Sequence, residues 1–157
     1  MNPVHPSLAP LARAAAEMPQ ADCAGALREC LADKRWLRPE HRVGDPTRYM
    51  RHVLYVDPGD RFVITAITWL PGQVSPLHGH QVWCAFGVAE GELTEERFDK
   101  SLHPVEKKIL HPGEIAERDL DGKTIHRVSN RGARTLVSLH LYGVSAAKLT
   151  TGINRLY

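Results

Sequence analysis

Gly72-Gln73-Val74-Ser75-Pro76-Leu77-His78-Gly79-His80, followed by a turn residue at Gly91, is the stretch around which the rest of the chain is read. Two histidines one residue apart in an extended run point to the same face, because strand side chains alternate. At ~3.3 Å rise per residue their Cα atoms lie ~6.6 Å apart, a span one metal ion can bridge. Pro71-Gly72 turns the chain just upstream. Pro76 suits the start or edge of a strand, where a missing N–H is tolerated. The pattern predicts a strand over residues 74–80.

Outward from this stretch, the period is two. Residues 49–56 and 61–70 alternate and are rich in β-branched and aromatic side chains. Asp57-Pro58-Gly59-Asp60 separates them as a turn. Further strands are predicted over 82–89, 92–98, 105–110, 114–117, 124–129 and 135–142, with turns at Pro112-Gly113 and Asp121-Gly122. Many short strands between regular turn signals predict a mainly β sandwich or barrel.

The first 47 residues differ. Residues 7–18 read as a helix with Ser7 as N-cap and Pro10 in the first turn. Pro19 ends it. Asp22 is the expected cap of a second helix, whose apolar stripe is Ala26, Leu27, Cys30 and Leu31. The expected organisation is one domain over 1–157: a helical segment at 1–47 packed on a barrel core at 48–143. The tail beyond Gly143 is expected either to cover the barrel or to pack on the helices.

The chain has 157 residues, a formal net charge of +2, three cysteines and nine histidines. The small, scattered positive charge argues against a nucleic-acid partner. No apolar run reaches membrane-spanning length, and the N-terminus lacks the pattern of a signal peptide. Cys23 and Cys30 sit seven apart on one helix, too far to bond, and read as core fillers. Reduced thiols predict a cytoplasmic protein. Nothing in the pattern specifies an oligomeric state.

A histidine pair needs a third ligand, and His126 supplies a candidate after the Asp121-Gly122 turn, with Asn130 four residues on. The spacing Gly-x5-His-x-His with a later Gly, then His-x3-Asn, resembles the two motifs of the cupins. That resemblance implies a double-stranded β-helix, a jelly-roll barrel. The usual cupin glutamate is missing: Gln81, Val82, Trp83 and Cys84 follow His80, and none is a carboxylate. The site would then be three neutral imidazoles, which suit Fe(II) but also Zn, Cu or Ni.

Residues 134–142 hold a second feature. Val137, Leu139 and Leu141 share one face, and Ser138, His140 and Tyr142 the other. The polar row is either a solvated face or a buried chain of mutually hydrogen-bonded groups. Arg51 shares strand parity with Tyr49, Val53 and Tyr55. It is either a surface arginine or an inward one whose planar fork suits a carboxylate.

Taken together, Tyr49-x-Arg51, His78-Gly79-His80 with Cys84 and Gly91, His126-x3-Asn130 and Ser138-Leu139-His140-Leu141-Tyr142-Gly143 resemble the cysteine dioxygenase family, bacterial type. The likeness runs from about Tyr49 to Gly143. It implies an iron(II) enzyme that converts a small thiol carboxylate and O2 to a sulfinic acid. His78, His80 and His126 would bind Fe(II), and Arg51 and Tyr49 would bind substrate. Ser138, His140 and Tyr142 would form the hydrogen-bonding trio beside it. In animal members a cysteine near position 84 is joined to the tyrosine matching Tyr142, so Cys84 and Tyr142 are candidates for a crosslink. Arg51 implies L-cysteine as substrate, while His80-Gln81-Val82-Trp83 is similar to bacterial mercaptopropionate dioxygenases. The competing expectations are a different metal-dependent cupin dioxygenase, such as a diketone-cleaving one, and a non-catalytic cupin that binds a metal or small molecule.

Overall fold

In a computed structural model, which describes residues 3–17, 23–116 and 123–157, the chain forms two facing antiparallel sheets with two short helices at its N-terminus. The helices are α1 (Ala9–Glu17) and α2 (Ala24–Ala32). The strands are β1 (Met50–Val56), β2 (Val63–Trp69), β3 (His78–His80), β4 (Cys84–Glu90), β5 (Leu93–Phe98), β6 (Pro104–Leu110), β7 (Ile125–Ser129), β8 (Leu136–Tyr142) and β9 (Asn154–Leu156). One sheet has the order β1-β2-β8-β4, and the other β6-β5-β7-β3-β9. This is mainly β, as the strand series predicted, and it has the double-stranded β-helix arrangement that the cupin resemblance implied.

Both faces of the first sheet are covered, by different partners. Val137, Leu139 and Leu141 of β8 join Ile64 and Ala66 of β2 against Leu11, Leu27, Leu31 and Trp36 from the helical segment. The opposite parity, with Leu136, Tyr142, Ile67, Trp69 and Phe86, faces the second sheet. Every residue of β2 and β8 is buried. The polar row of β8 therefore cannot be a solvated face, because the helices occupy the solvent side of that sheet.

Local boundaries follow the turn chemistry with some differences. Ser7 does not cap α1. Pro6–Leu8 form a short 3-10 turn that runs into α1, and His5 is its N-cap, accepting from the Ser7 N–H at 3.2 Å. Pro6 takes the first helical position, which moves the cap one residue before it. The cap expected at Asp22, the end expected at Pro19 and the turn at Asp121-Gly122 lie outside the described residues. Cys23 and Cys30 are buried and in no disulfide, as expected of core fillers, and burial pushes the Cys30 thiol up to about 11.

The strand expected over residues 74–80 contracts to β3. Pro76 interrupts the ladder, and Val74 makes only an isolated bridge to Ser129. Residues 114–116 are not a strand either; Ile115 makes one bridge to Gly87. Gly91 adopts φ +79, and an added Cβ there would meet the Thr135 carbonyl at 2.8 Å, so this turn requires glycine. The tail returns as β9 and pairs with β3, covering the barrel rather than the helices. Among the described residues no helix is long and apolar enough to cross a membrane.

Candidate active site

The site is built where β3, β7 and β8 present inward side chains. His78 and His126 are register partners across β3 and β7, so both rings project to the same face. His80 follows two residues later on that face. The ligating nitrogens of His78, His80 and His126 lie within 4.8 Å of one another, and all three residues are buried. The two motifs thus converge, as their spacing predicted.

Hydrogen bonds aim these rings. His78 Nδ1 donates to the Pro76 carbonyl at 2.8 Å, and His126 Nδ1 donates to Glu95 Oε1 at 2.8 Å. With both Nδ1 atoms protonated, both Nε2 atoms carry lone pairs, and they face each other at 3.1 Å. Burial, followed by the neighbouring His126, pushes His78 down to about 3, so it stays neutral. Two acceptors pointed at each other repel, and a cation between them removes the conflict. Nitrogens ~2.1 Å from a common ion sit about 3 Å apart, which matches. The donor set therefore fits a divalent transition metal.

Glu95 was not legible as a site residue. Burial raises its carboxyl, but the hydrogen bond to His126 and the nearby Arg97 outweigh it and hold the group below the ordinary glutamate range. Arg97 Nη2 lies 3.3 Å from Glu95 Oε2. The carboxylate absent after the histidine pair is thus supplied by β5, behind the third histidine rather than at the metal position. The β5–β7 register explains this placement: Glu95 pairs with Val128, whose parity matches His126. The only signal in the sequence was the shared parity of Glu95 with the apolar Leu93, which the structure buries fully.

The polar row of β8 is the buried alternative. Ser138 Oγ lies 2.8 Å from His140 Nε2, and His140 Nδ1 lies 3.0 Å from the Tyr142 hydroxyl. Trp69 Nε1 donates to Ser138 Oγ at 3.0 Å. Ser138 has one proton, and His140 Nε2 is closer than its other acceptor, the Ile67 carbonyl at 3.5 Å. With Ser138 donating to Nε2, His140 Nδ1–H donates to the Tyr142 oxygen, which leaves the phenolic proton for the pocket. Phe86 stacks flat on the His140 ring at 4.9 Å and 8°. Burial, then the Arg51 charge, hold His140 well below its ordinary value, and burial raises Tyr142. Both groups are neutral.

Arg51 and Tyr49 also line this pocket. Among the described residues Arg51 Nε is buried without a hydrogen-bond partner, and its guanidinium carbon lies 5.8 Å from the Tyr142 ring centroid. Tyr49 stacks on Trp69 at 4.2 Å. Cys84 is the cross-strand register partner of Tyr142, and both are buried. Ser138 and Cys84 sit behind the pocket wall, while His140 and Tyr142 form part of it. Sequence reasoning missed Trp69, Phe86 and Asn154 as wall residues; each occupies a position where an apolar or loop residue would be expected.

Asn130 has a structural role. Its side-chain amide donates to the Trp69 carbonyl at 2.9 Å and the Arg134 carbonyl at 2.8 Å, and its oxygen accepts from Gly132 N at 3.0 Å. It closes the β7–β8 turn and ties that turn to the end of β2, which fixes β7 beneath His126.

The sequence pattern described as cysteine dioxygenase type I matches residues 32–149. Solved structures share the architecture. The protein TT1209 from Thermus thermophilus is 22% identical with a TM-score of 0.55, over 71% of this chain and 92% of that one. A Klebsiella pneumoniae protein with a double-stranded β-helix domain is 18% identical with a TM-score of 0.57, over 74% and 90%. A cupin-family protein from Methanocaldococcus jannaschii is 17% identical with a TM-score of 0.51, over 68% and 90%. At these identities the structural likeness speaks for the fold alone.

Proposed function

The chain belongs to the cysteine dioxygenase type I family, and from that premise we propose that it is an iron(II)-dependent thiol dioxygenase acting on L-cysteine. The observation that carries the reading is the convergence on one pocket of three histidine nitrogens, the Arg51 guanidinium and the Tyr142 hydroxyl. The reaction balances without any other reductant: RSH + O2 gives RSO2H, with sulfur losing the four electrons that dioxygen accepts.

His78, His80 and His126 would hold the iron, which supplies the Lewis acidity that keeps a thiol deprotonated and the redox chemistry toward O2. The protein's own groups do the rest. Arg51 would offer its Nε–H, which has no hydrogen-bond partner among the described residues, to a carboxylate. That contact positions the substrate thiol toward the histidine cluster. Tyr142, oriented by His140 and Ser138, holds a proton at its hydroxyl for a developing negative oxygen. Glu95 fixes the tautomer and orientation of the His126 ring. The β8 strand, sealed by helices on its far side, excludes water from this chain of groups. Cys84 opposite Tyr142 supports the candidate crosslink, in which a sulfur–ring-carbon bond replaces the S–H and one ring C–H with O2 as the oxidant, and an intact mass lower by two hydrogens after aerobic turnover would report it.

The test is anaerobic reconstitution with Fe(II), then O2 uptake with L-cysteine, 3-mercaptopropionate and a diketone. One O2 consumed per sulfinate formed is the expected result. Diketone cleavage, or tight zinc without O2 uptake, would replace this reading with one of the other cupin functions.

A further inference from the structure

Strand β3 is three residues long, and its two histidines are not held alike. His78 has a register partner on each side, His126 in β7 and Leu156 in β9. Among the described strands His80 has one, Asn154 in β9, because the β7 pairing stops at Gly79. Beyond His80 the chain leaves this sheet, and β4 begins only at Cys84. The backbone that carries the second histidine is therefore fixed across the sheet by β9.

The contacts that do this are main-chain contacts for the most part. Gln81 N donates to the Ile153 carbonyl at 2.7 Å, and Tyr157 N donates to the Leu77 carbonyl at 3.1 Å. Gln81 Nε2 adds a bond to the Asn154 carbonyl at 3.0 Å. An antiparallel ladder alternates bonded and non-bonded pairs, so bonds at Gln81–Ile153 and Leu77–Tyr157 make Gly79–Arg155 the bonded pair between them. Arg155 contributes its N–H to this pair, while its side chain is exposed. Ile153, buried in the core between the sheets, anchors the near end of β9. At the far end the Tyr157 ring lies over Gly79: an added Cβ would meet Tyr157 Cε2 at 3.4 Å and the Thr124 carbonyl at 3.2 Å. The residue between the two histidines is thus enclosed by the tail on one side and the approach to β7 on the other.

We propose that β9 is a positioning strap for the metal centre: its backbone holds His80 on the face that His78 and His126 share, and a bound metal in turn holds β9 on β3. This rests on the three-histidine centre of the proposed function and is independent of the substrate. The two halves of the statement are linked. If opening β9 weakens metal binding by some factor, a bound metal disfavours that opening by the same factor.

The test uses the full chain and Zn(II), a redox-inert ion that imidazole nitrogens accept. Arg155→Pro removes the central N–H of the β3–β9 ladder. Its Zn(II) affinity, measured by competition with a chelator, should fall about 10- to 100-fold. Arg155→Ala keeps the N–H and should bind as the wild type does. Gln81→Leu loses one side-chain bond and keeps the ladder, so its affinity should fall about threefold. In the wild type, saturating Zn(II) should slow amide exchange at Gln81 N–H by a factor comparable to the loss in Arg155→Pro. Unchanged affinity in both Arg155→Pro and Gln81→Leu, an equal loss in Arg155→Ala, or Gln81 exchange indifferent to Zn(II) would overturn the inference. The exchange measurement and Gln81→Leu decide it even where Arg155→Pro does not fold. A wild type that takes up no metal would sink the metal centre and the strap together. Zinc binding coupled to β9, with no sulfinate formed by the Fe(II) protein from thiol and O2, would sink the dioxygenase reading and leave the strap standing.

Discussion

Strand β8 has two faces that share a backbone and little else. Val137, Leu139 and Leu141 meet the helices in an apolar layer, while Ser138, His140 and Tyr142 meet the histidine cluster across the barrel. Both faces are buried to the same degree. One gains from area removed from water. The other loses that gain to polar burial and recovers it only by complete hydrogen bonding. The comparison teaches that the helical segment makes the chemistry possible from a distance: without it, this sheet would have a wet face and the polar row would belong there.

The sharpest way to break the comparison is to damage one face and read the other. Leu139→Ala removes a fully buried side chain between β8 and the helices. It should cost about 2–5 kcal/mol in urea unfolding. The folded fraction should keep its metal stoichiometry. Metal loss in the folded fraction would mean the two faces are not separable.

On the inner face, effects should appear in chemistry before stability. Glu95→Gln retains the shape but weakens the hold on His126. Metal affinity should fall about 10- to 100-fold, measured by competition with a chelator. An unchanged affinity would remove Glu95 from the support of the site. Tyr142→Phe deletes only the hydroxyl at the end of the buried chain. Turnover should fall about tenfold or more with iron content normal. Unchanged kinetics would leave His140 and Ser138 as structural groups alone.

The two faces also differ in how far the sequence exposes them. The parity of β8 was legible, because alternation is a local property. That neither parity faces solvent was not, because that depends on helices more than a hundred residues away in sequence. The histidine triad was legible for the same local reason, from two short motifs. Glu95 was hidden among Glu96 and Arg97, where charge reads as a wet surface; only the register with β7 turns it inward. Asn154-Arg155-Leu156 has no period to detect. It becomes a strand because β3 presents an open edge, and pairing satisfies backbone groups that would otherwise be unpaired. His5 took the cap expected of Ser7 because a proline, one residue later, fixes where the first turn begins.

A region outside both faces sharpens the contrast at the smallest scale. The β1–β2 turn is held by Asp57, whose buried carboxylate accepts from Arg61 Nε at 2.7 Å and Nη2 at 2.9 Å. The Arg61 hydrogen bonds hold the Asp57 carboxyl below the ordinary aspartate range against the opposing effect of burial. The group is therefore more acidic in the folded chain, so the unfolded chain gains its proton first as pH falls. Its stabilisation is fully present above the unfolded value of about 4 and disappears as pH drops through the folded value. Because Arg61 is half-exposed, the effect should stay within about 1 kcal/mol. Urea midpoints of wild type and Asp57→Asn should differ at pH 6 and converge toward pH 3. A gap independent of pH would mean that Asp57 holds the turn by shape rather than by charge, as the apolar face of β8 holds the helices.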